Sequence, residues 1–244
     1  MRYFIQLAYK GTNFHGWQIQ PDAISVQEVI EKALSTKLQD KIALTGAGRT
    51  DTGVHASFFI AHFDTNKTFD FDKLLYGLNH LVGKDISIIK LYKVPEHSHA
   101  RFDATSRTYQ YRISLTKNPF LQETTSLFSK KLNIGLMNEA CKFLFNYIDF
   151  TSFSKVHTDT KTNNCTITEA YWEQKEDLLV FTITADRFLR NMVRAIVGTL
   201  LEVGISKIKV SDFKLIIEAQ NRSKAGSSAA PEGLFLTDIK YPGL

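Results

Sequence analysis

The sequence predicts an α+β fold in which helices cover one face of a sheet. Three observations predict it. Period-two and helical hydrophobic patterns alternate along the chain, which marks mixed strands and helices. The alternation runs once before Pro95 and again after it, so the chain reads as two similar halves, 1–96 and 97–244. A length of 244 residues with 43% apolar and 23% charged residues suffices for one large core or two smaller ones.

Arg2 to Tyr9 alternates aromatic and aliphatic residues and reads as a strand. Ser25-Val26-Gln27-Glu28 is a capping-box signature that opens a helix to about Leu38. Ser57 to Asp64 is a strand, Phe71 to Leu81 a helix and Asp85 to Val94 a strand. Pro95-Glu96-His97-Ser98-His99 breaks the pattern and marks the domain boundary. Thr108 to Leu115 follows as a strand, and Leu132 to Tyr147 is helical in pattern. Thr166 to Gln174 and Leu178 to Thr184 are strands joined by a turn at Lys175-Glu176-Asp177. Arg187 to Val203 is a strong helix and Ser211 to Ala219 a shorter one. The two halves share no residue-level repeat. Tyr3, Phe4, Phe58, Phe59 and Phe63 are expected to be core, because half-buried strands favour aromatics.

Thirty Lys and Arg against 25 Asp and Glu leave a net charge of +5, with a pI near 9.0. That is compatible with a nucleic-acid partner without establishing one. Arginine placement is more specific. Of nine arginines, Arg49, Arg101, Arg107, Arg112, Arg187, Arg190 and Arg194 fall in or beside the motif segments below. Arginine's planar fork suits phosphates and buried carboxylates. The helix from Arg187 to Val203 shows two stripes. Phe188, Met192, Ile196, Thr199, Leu200 and Val203 form the apolar one, and Arg187, Arg190 and Arg194 share another at i, i+3 and i+7.

Cys141 and Cys165 are too few and too far apart for a disulfide framework or a thiolate zinc site. His97-x-His99 places no third ligand, so no metal is expected. No phosphate loop or dinucleotide fingerprint occurs, and Asp51 would repel a pyrophosphate at Gly46-x-Gly48, so no organic cofactor is expected. No signal peptide follows Met1-Arg2 and no run of about twenty apolar residues occurs, which makes a reducing cytoplasm the default and excludes a helical membrane span.

The chemically richest segment is Gly46-Ala47-Gly48-Arg49-Thr50-Asp51-Thr52-Gly53-Val54-His55-Ala56, followed at once by a strand. It presents one carboxylate beside an arginine, with three glycines that permit positive φ or close approach of another molecule. That suits a nucleophile or a general base. On local chemistry alone the commoner reading is a structural turn in which Asp51 caps backbone amides.

Gly-Arg-Thr-Asp-x-Gly-Val-His at 48–55 resembles the active-site signature of the TruA family of tRNA pseudouridine synthases. Four further blocks agree, in the family's order: Tyr9 to Gln20, Arg101 to Tyr111, Phe188 to Gly198 and Ala229 to Leu234. Thr52 stands where the family more often has Ala, and Ala230 where it often has Pro. The resemblance implies two ferredoxin-like halves with joined, mainly antiparallel sheets, a basic RNA-binding cleft between them, and a homodimer. It implies conversion of uridine to pseudouridine at positions 38–40 of the tRNA anticodon arm without metal or cofactor. Asp51 would be the nucleophile, Arg194 its ion-pair partner, and Tyr109 the residue stacked against the target base. Arg49, Arg101, Arg107, Arg187 and Arg190 are the candidate RNA contacts. Two other functions are weighed against this one: a catalytically silent RNA-binding module on the same fold, and a hydrolase using Asp51 as general base.

Overall fold

The computed structural model describes residues 1–155 and 160–242. The strands are β1 (Arg2–Tyr9), β2 (Thr45–Gly46), β3 (His55–Asp64), β4 (Ile86–Val94), β5 (Ser106–Ser114), β6 (Ser126–Leu127), β7 (Ile167–Lys175), β8 (Leu178–Ala185) and β9 (Leu234–Lys240). The helices are α1 (Val26–Leu38), α2 (Phe71–Leu81), α3 (Ile134–Cys141), α4 (Met192–Gly204) and α5 (Val210–Glu218). They form two compact units, Met1–Thr105 with Phe235–Leu244, and Ser106–Leu234. Each combines helices with mostly antiparallel strands, as an α+β chain should.

In the first unit the strand order is β4-β1-β3-β9. β1 runs antiparallel to β3 and β4, while β9 pairs parallel with the start of β3 through His55↔Phe235 and Ala56↔Leu236. Alternation along β1 buries Ile5, Leu7 and Tyr9 on one face, and Tyr3 on that face meets Phe71 at the start of α2. α1 buries Val26, Ile30, Ala33 and Leu34 at helical spacing. Ser25 caps it by accepting from the Glu28 amide at 3.2 Å, and Gln39 ends it in the left-handed region at φ 49°. Asp70 caps α2 by accepting from the Lys73 amide at 2.9 Å. Each fully buried Leu or Phe of this core contributes about 1.5–3 kcal/mol.

The other face of the same sheet carries Phe4, Gln6, Phe58, Ile60, His62 and Tyr92. Phe4 is buried among His62, Tyr92 and Tyr241. Phe58 is the exception among the aromatics expected to be core. It is half-buried and lines an open groove of about 570 Å³ together with Gln6, Lys90, Tyr92, Asp238 and Tyr241.

His62 is 5% exposed, and its Nδ1 accepts a hydrogen bond from the Ala100 amide at 3.1 Å. Burial, helped by the positive charge of Arg2 and by His99, lowers its pKa to about 4, against the opposing pull of Asp64 and Asp103. The unfolded chain therefore takes up this proton first as pH falls. The contribution is fully present above pH ~6.5 and is lost progressively toward pH 4, by on the order of 2 kcal/mol. Urea unfolding at pH 7 and pH 4.5 measures it, and a midpoint that stays level across that interval would refute the assignment.

In the second unit β8 lies between β5 and β7, antiparallel to both, and β6 adds parallel to β5. α3 packs on α4, α5 and β7. The helical pattern from Leu132 to Tyr147 resolves into α3, capped by Asn133 on the Leu136 amide at 3.1 Å, and a 3-10 turn over Lys142–Asn146. Such tightening is common at helix ends.

The larger correction concerns the helix expected from Arg187. α4 begins only at Met192. Asn191 sits in the left-handed region at φ 66°, a conformation that asparagine tolerates and that ends helical continuity. The Asp186 carboxylate takes the amides of Arg187 at 2.7 Å and Thr166 at 2.8 Å, a local alternative to helix. Arg187, Phe188 and Arg190 therefore lie in the connection from β8 to α4. The expected stripe of Arg187, Arg190 and Arg194 on one helix does not exist.

Candidate active site

In the first unit Asp51 lies in the connection between β2 and β3. β2 runs back along β3, with Thr45↔His62 and Gly46↔Ala61, so residues 47–54 form the bend at the β3 entrance. Ala47 donates to Ile60 O at 2.8 Å, and Val54 donates to Asp51 O at 3.1 Å, closing a turn around the carboxylate residue. Gly53 takes φ 77° there, a conformation that glycine adopts without a steric penalty.

A second loop clamps this bend. It follows β1 and contains the motif from Tyr9 to Gln20. Trp17 N donates to Thr50 O at 3.2 Å, and Gly53 N donates to Phe14 O at 3.3 Å. Gly11 N donates to Nδ1 of the fully buried His55 at 2.9 Å, and the hydroxyls of Tyr9 and Thr50 are 2.8 Å apart. Beside these side-chain bonds, backbone packs directly on backbone at Gly11 and Gly16. A Cβ on Gly11 would overlap the Val54 carbonyl, with Val54 C at 2.6 Å, and one on Gly16 would overlap Thr50 O, with Asp51 C at 3.2 Å. Gly46 is needed against the indole of Trp17, which itself stacks on Phe59 at 4.1 Å.

The two N-terminal motifs are therefore each other's packing surface, and together they fix the half-buried Asp51. Gly48 differs, since a Cβ there would meet nothing within 4 Å. It borders open space three residues before the carboxylate. Arg49 is exposed, as is Thr52. Arg101 is also in this unit but near the far end of β3, where its guanidinium lies 5.7 Å from the Phe102 ring centroid.

In the second unit Tyr109 lies on β5 opposite Ile183, half-buried. Phe188 meets its ring edge-on at 5.0 Å. Arg107, two residues earlier on β5, donates from Nη1 to Asp186 O at 2.8 Å. The connection from β8 to α4 thus brings Arg187, Phe188 and Arg190 to the end of the sheet that carries Tyr109. Phe188 is the residue that sequence reading misplaced, in a helix stripe. Its pairing with an aromatic on β5 is a tertiary fact.

Arg194 stands in the first turn of α4. Its Nε donates to Ala229 O at 2.6 Å, and Ala229 N donates back to Arg194 O at 2.9 Å. The Asn191 side chain holds Ser228 at 2.6 Å, and Arg222 reaches Gly226 O at 3.1 Å and Ser228 Oγ at 3.0 Å. This strap over α4 requires Gly198, where a Cβ would overlap Ser227 O. Tyr111 is 1% exposed and donates to Ala230 O at 2.8 Å, with burial pushing its pKa up to about 12. The carbonyl at 230 serves as acceptor whether the residue is Ala or Pro.

No helix among the described residues is long and apolar enough to cross a membrane. A family model described as tRNA pseudouridine synthase matches residues 6–103 and 147–242. A relative from Parabacteroides distasonis named tRNA pseudouridine synthase A is 54% identical over 242 residues, covering 99% of this chain and 96% of its own. One of the same name from Bacteroides fragilis is 56% identical with the same coverage, and one from Acetivibrio thermocellus is 40% identical over 96% of this chain and 97% of its own. The class so defined is that of RNA-modifying isomerases. Within it, the chain belongs to the tRNA pseudouridine synthase family.

Proposed function

We propose that the chain isomerises uridine to pseudouridine at positions 38–40 of the tRNA anticodon arm, with Asp51 as covalent nucleophile. The observation that carries this reading is the Asp51 bend, a single carboxylate fixed by a backbone clamp beside open space at Gly48. A reacting base must leave its stack to reach such a group. Asp51 would attack the nucleotide at the base or at the ribose. The bond from C1′ to N1 then breaks, the freed uracil turns, a bond from C1′ to C5 forms, and the bond to Asp51 breaks so that the carboxylate is restored. The proton on C5 is lost and one is gained at N1, so the net reaction is an isomerisation and needs no second acid as leaving-group donor.

Tyr109 would stack on the base, with its hydroxyl or a nearby water placed for the C5 proton. Arg194 would hold Asp51 ionised, since an opposite charge favours the charged form. Its Nε is used by Ala229, one of five donors on the guanidinium. The resemblance also supports a homodimer acting in the cytoplasm.

The test is release of tritium from 5-tritiated uridine in tRNA, with modified positions mapped in the product. Absence of release on a tRNA pool lacking pseudouridine would sink the proposal. A catalytically silent RNA-binding module would bind the same tRNA and release nothing.

Binding should rest mainly on phosphate contacts. Arg187→Ala and Arg190→Ala should each weaken tRNA affinity and lower the slope of log affinity against log salt by about 1. Arg194→Ala should lower turnover more than affinity. If the slope is unchanged in the first two variants, those side chains are ordinary solvated arginines.

A further inference from the structure

The loop after β4 displays Phe102 at 75% exposure, and hydrogen bonds hold its backbone from Ser98 to Phe102. Arg2 donates from Nη1 to Ser98 O at 2.8 Å, and Asp103 accepts from the His99 amide at 2.7 Å. His99 Nδ1 accepts from the amides of Arg101 at 3.1 Å and Phe102 at 3.2 Å. His62 Nδ1 accepts from the Ala100 amide, while the Tyr241 hydroxyl donates to Ala100 O. Both histidines must be neutral at Nδ1 to do this, and burial lowers the pKa of each. The His99 ring backs Phe102 at 4.2 Å and rests on His62 at 4.7 Å. The free protein has therefore already ordered an exposed aromatic ring, which lowers the entropic penalty of using it in binding.

What surrounds the ring indicates the ligand. Arg101 lies beside it, and the neighbouring exposed residues are Pro95, the acids Glu96 and Asp103, His97 and Thr105, with no second large apolar side chain exposed among them. An anchor for a protein partner is ordinarily set in a larger apolar patch. A lone aromatic beside a guanidinium instead matches base stacking with a neighbouring phosphate contact. Position adds to this. The loop adjoins His62, whereas Asp51 lies before His55, and seven residues of extended strand separate them by roughly 23 Å.

We propose that Phe102, with Arg101 beside it, is a stacking site for an unpaired nucleobase of the tRNA, at the opposite end of β3 from the entrance that the Asp51 bend leads into. The site rests on the tRNA-modifying reading above and extends it to a base other than the one that reacts. It would hold the RNA in register while contributing nothing to the chemical step.

The test is tRNA affinity by filter binding, with tritium-release kinetics and light scattering alongside. Phe102→Ala should weaken affinity and raise KM roughly five- to hundredfold, with kcat within about twofold of wild type. The salt slope should be unchanged because no charge is removed. Phe102→Tyr should behave as wild type. Unchanged affinity in Phe102→Ala would overturn the site, as would an equal defect in Phe102→Tyr. A change in oligomeric mass would also overturn it and place the ring against a protein surface. Wild-type protein that binds tRNA but releases no tritium would count against the proposed reaction alone, because the affinity comparison still reads the stacking site.

Discussion

Asp51→Asn should fold, bind tRNA and form no detectable pseudouridine. The substitution keeps the size of the side chain and most of its hydrogen bonding, and the turn is closed by main-chain atoms that it leaves alone. Those are the Val54 amide on Asp51 O, and Thr50 O beneath Trp17 N. Thermal stability should therefore stay close to wild type. Affinity should be equal or slightly tighter, because one negative charge facing the phosphates has gone. Turnover should vanish because an amide cannot form the covalent intermediate. A variant that keeps a tenth of wild-type turnover would place only about 1.4 kcal/mol of the barrier on the carboxylate. That is too little for a nucleophile and would return the segment to a structural turn.

Much of the chain's architecture could be read from periodicity, because the strands and helices of each unit bury one face against a local core. α2 begins and ends at Phe71 and Leu81 as its pattern predicts, with Asp70 as cap. Reading fails where a distant or irregular contact decides. α4 starts late because Asn191 takes a left-handed conformation and Asp186 captures the Arg187 amide, and neither is encoded in hydrophobic spacing. β9 went unread because its ladder with β3 joins Phe235 and Leu236 to His55 and Ala56, some 180 positions away.

The site was legible as composition but not as geometry. Sequence alone shows glycines around Asp51 and assigns them a common freedom. In the structure they differ: Gly53 supplies positive φ, Gly46 makes room for Trp17, and Gly48 faces open space. Phe102 could be quoted as part of a motif, yet its exposure depends on His62 and His99 holding the loop.

The clamp between the two N-terminal motifs yields the second large effect. Gly11→Ala should lower kcat/KM at least about a hundredfold while leaving tRNA affinity within a few-fold of wild type. The added methyl would overlap the Val54 carbonyl and come within 2.6 Å of Val54 C and 3.1 Å of Gly53 C. All three atoms are backbone, so no rotamer change relieves the overlap. Either the 11–13 turn lifts, losing the bond from Gly11 N to His55 Nδ1, or the 51–54 turn moves and carries Asp51 with it. A displacement near 1 Å is enough for the expected loss, since the carboxylate must meet its target at near-attack distance. Overpacking of this kind should also cost about 1–3 kcal/mol of stability. Gly48→Ala is the control, because its methyl meets nothing within 4 Å and the melting temperature should not move. If Gly11→Ala keeps kcat/KM within threefold of wild type, the loop after β1 does not set the position of Asp51. The glycine at 11 would then serve folding alone.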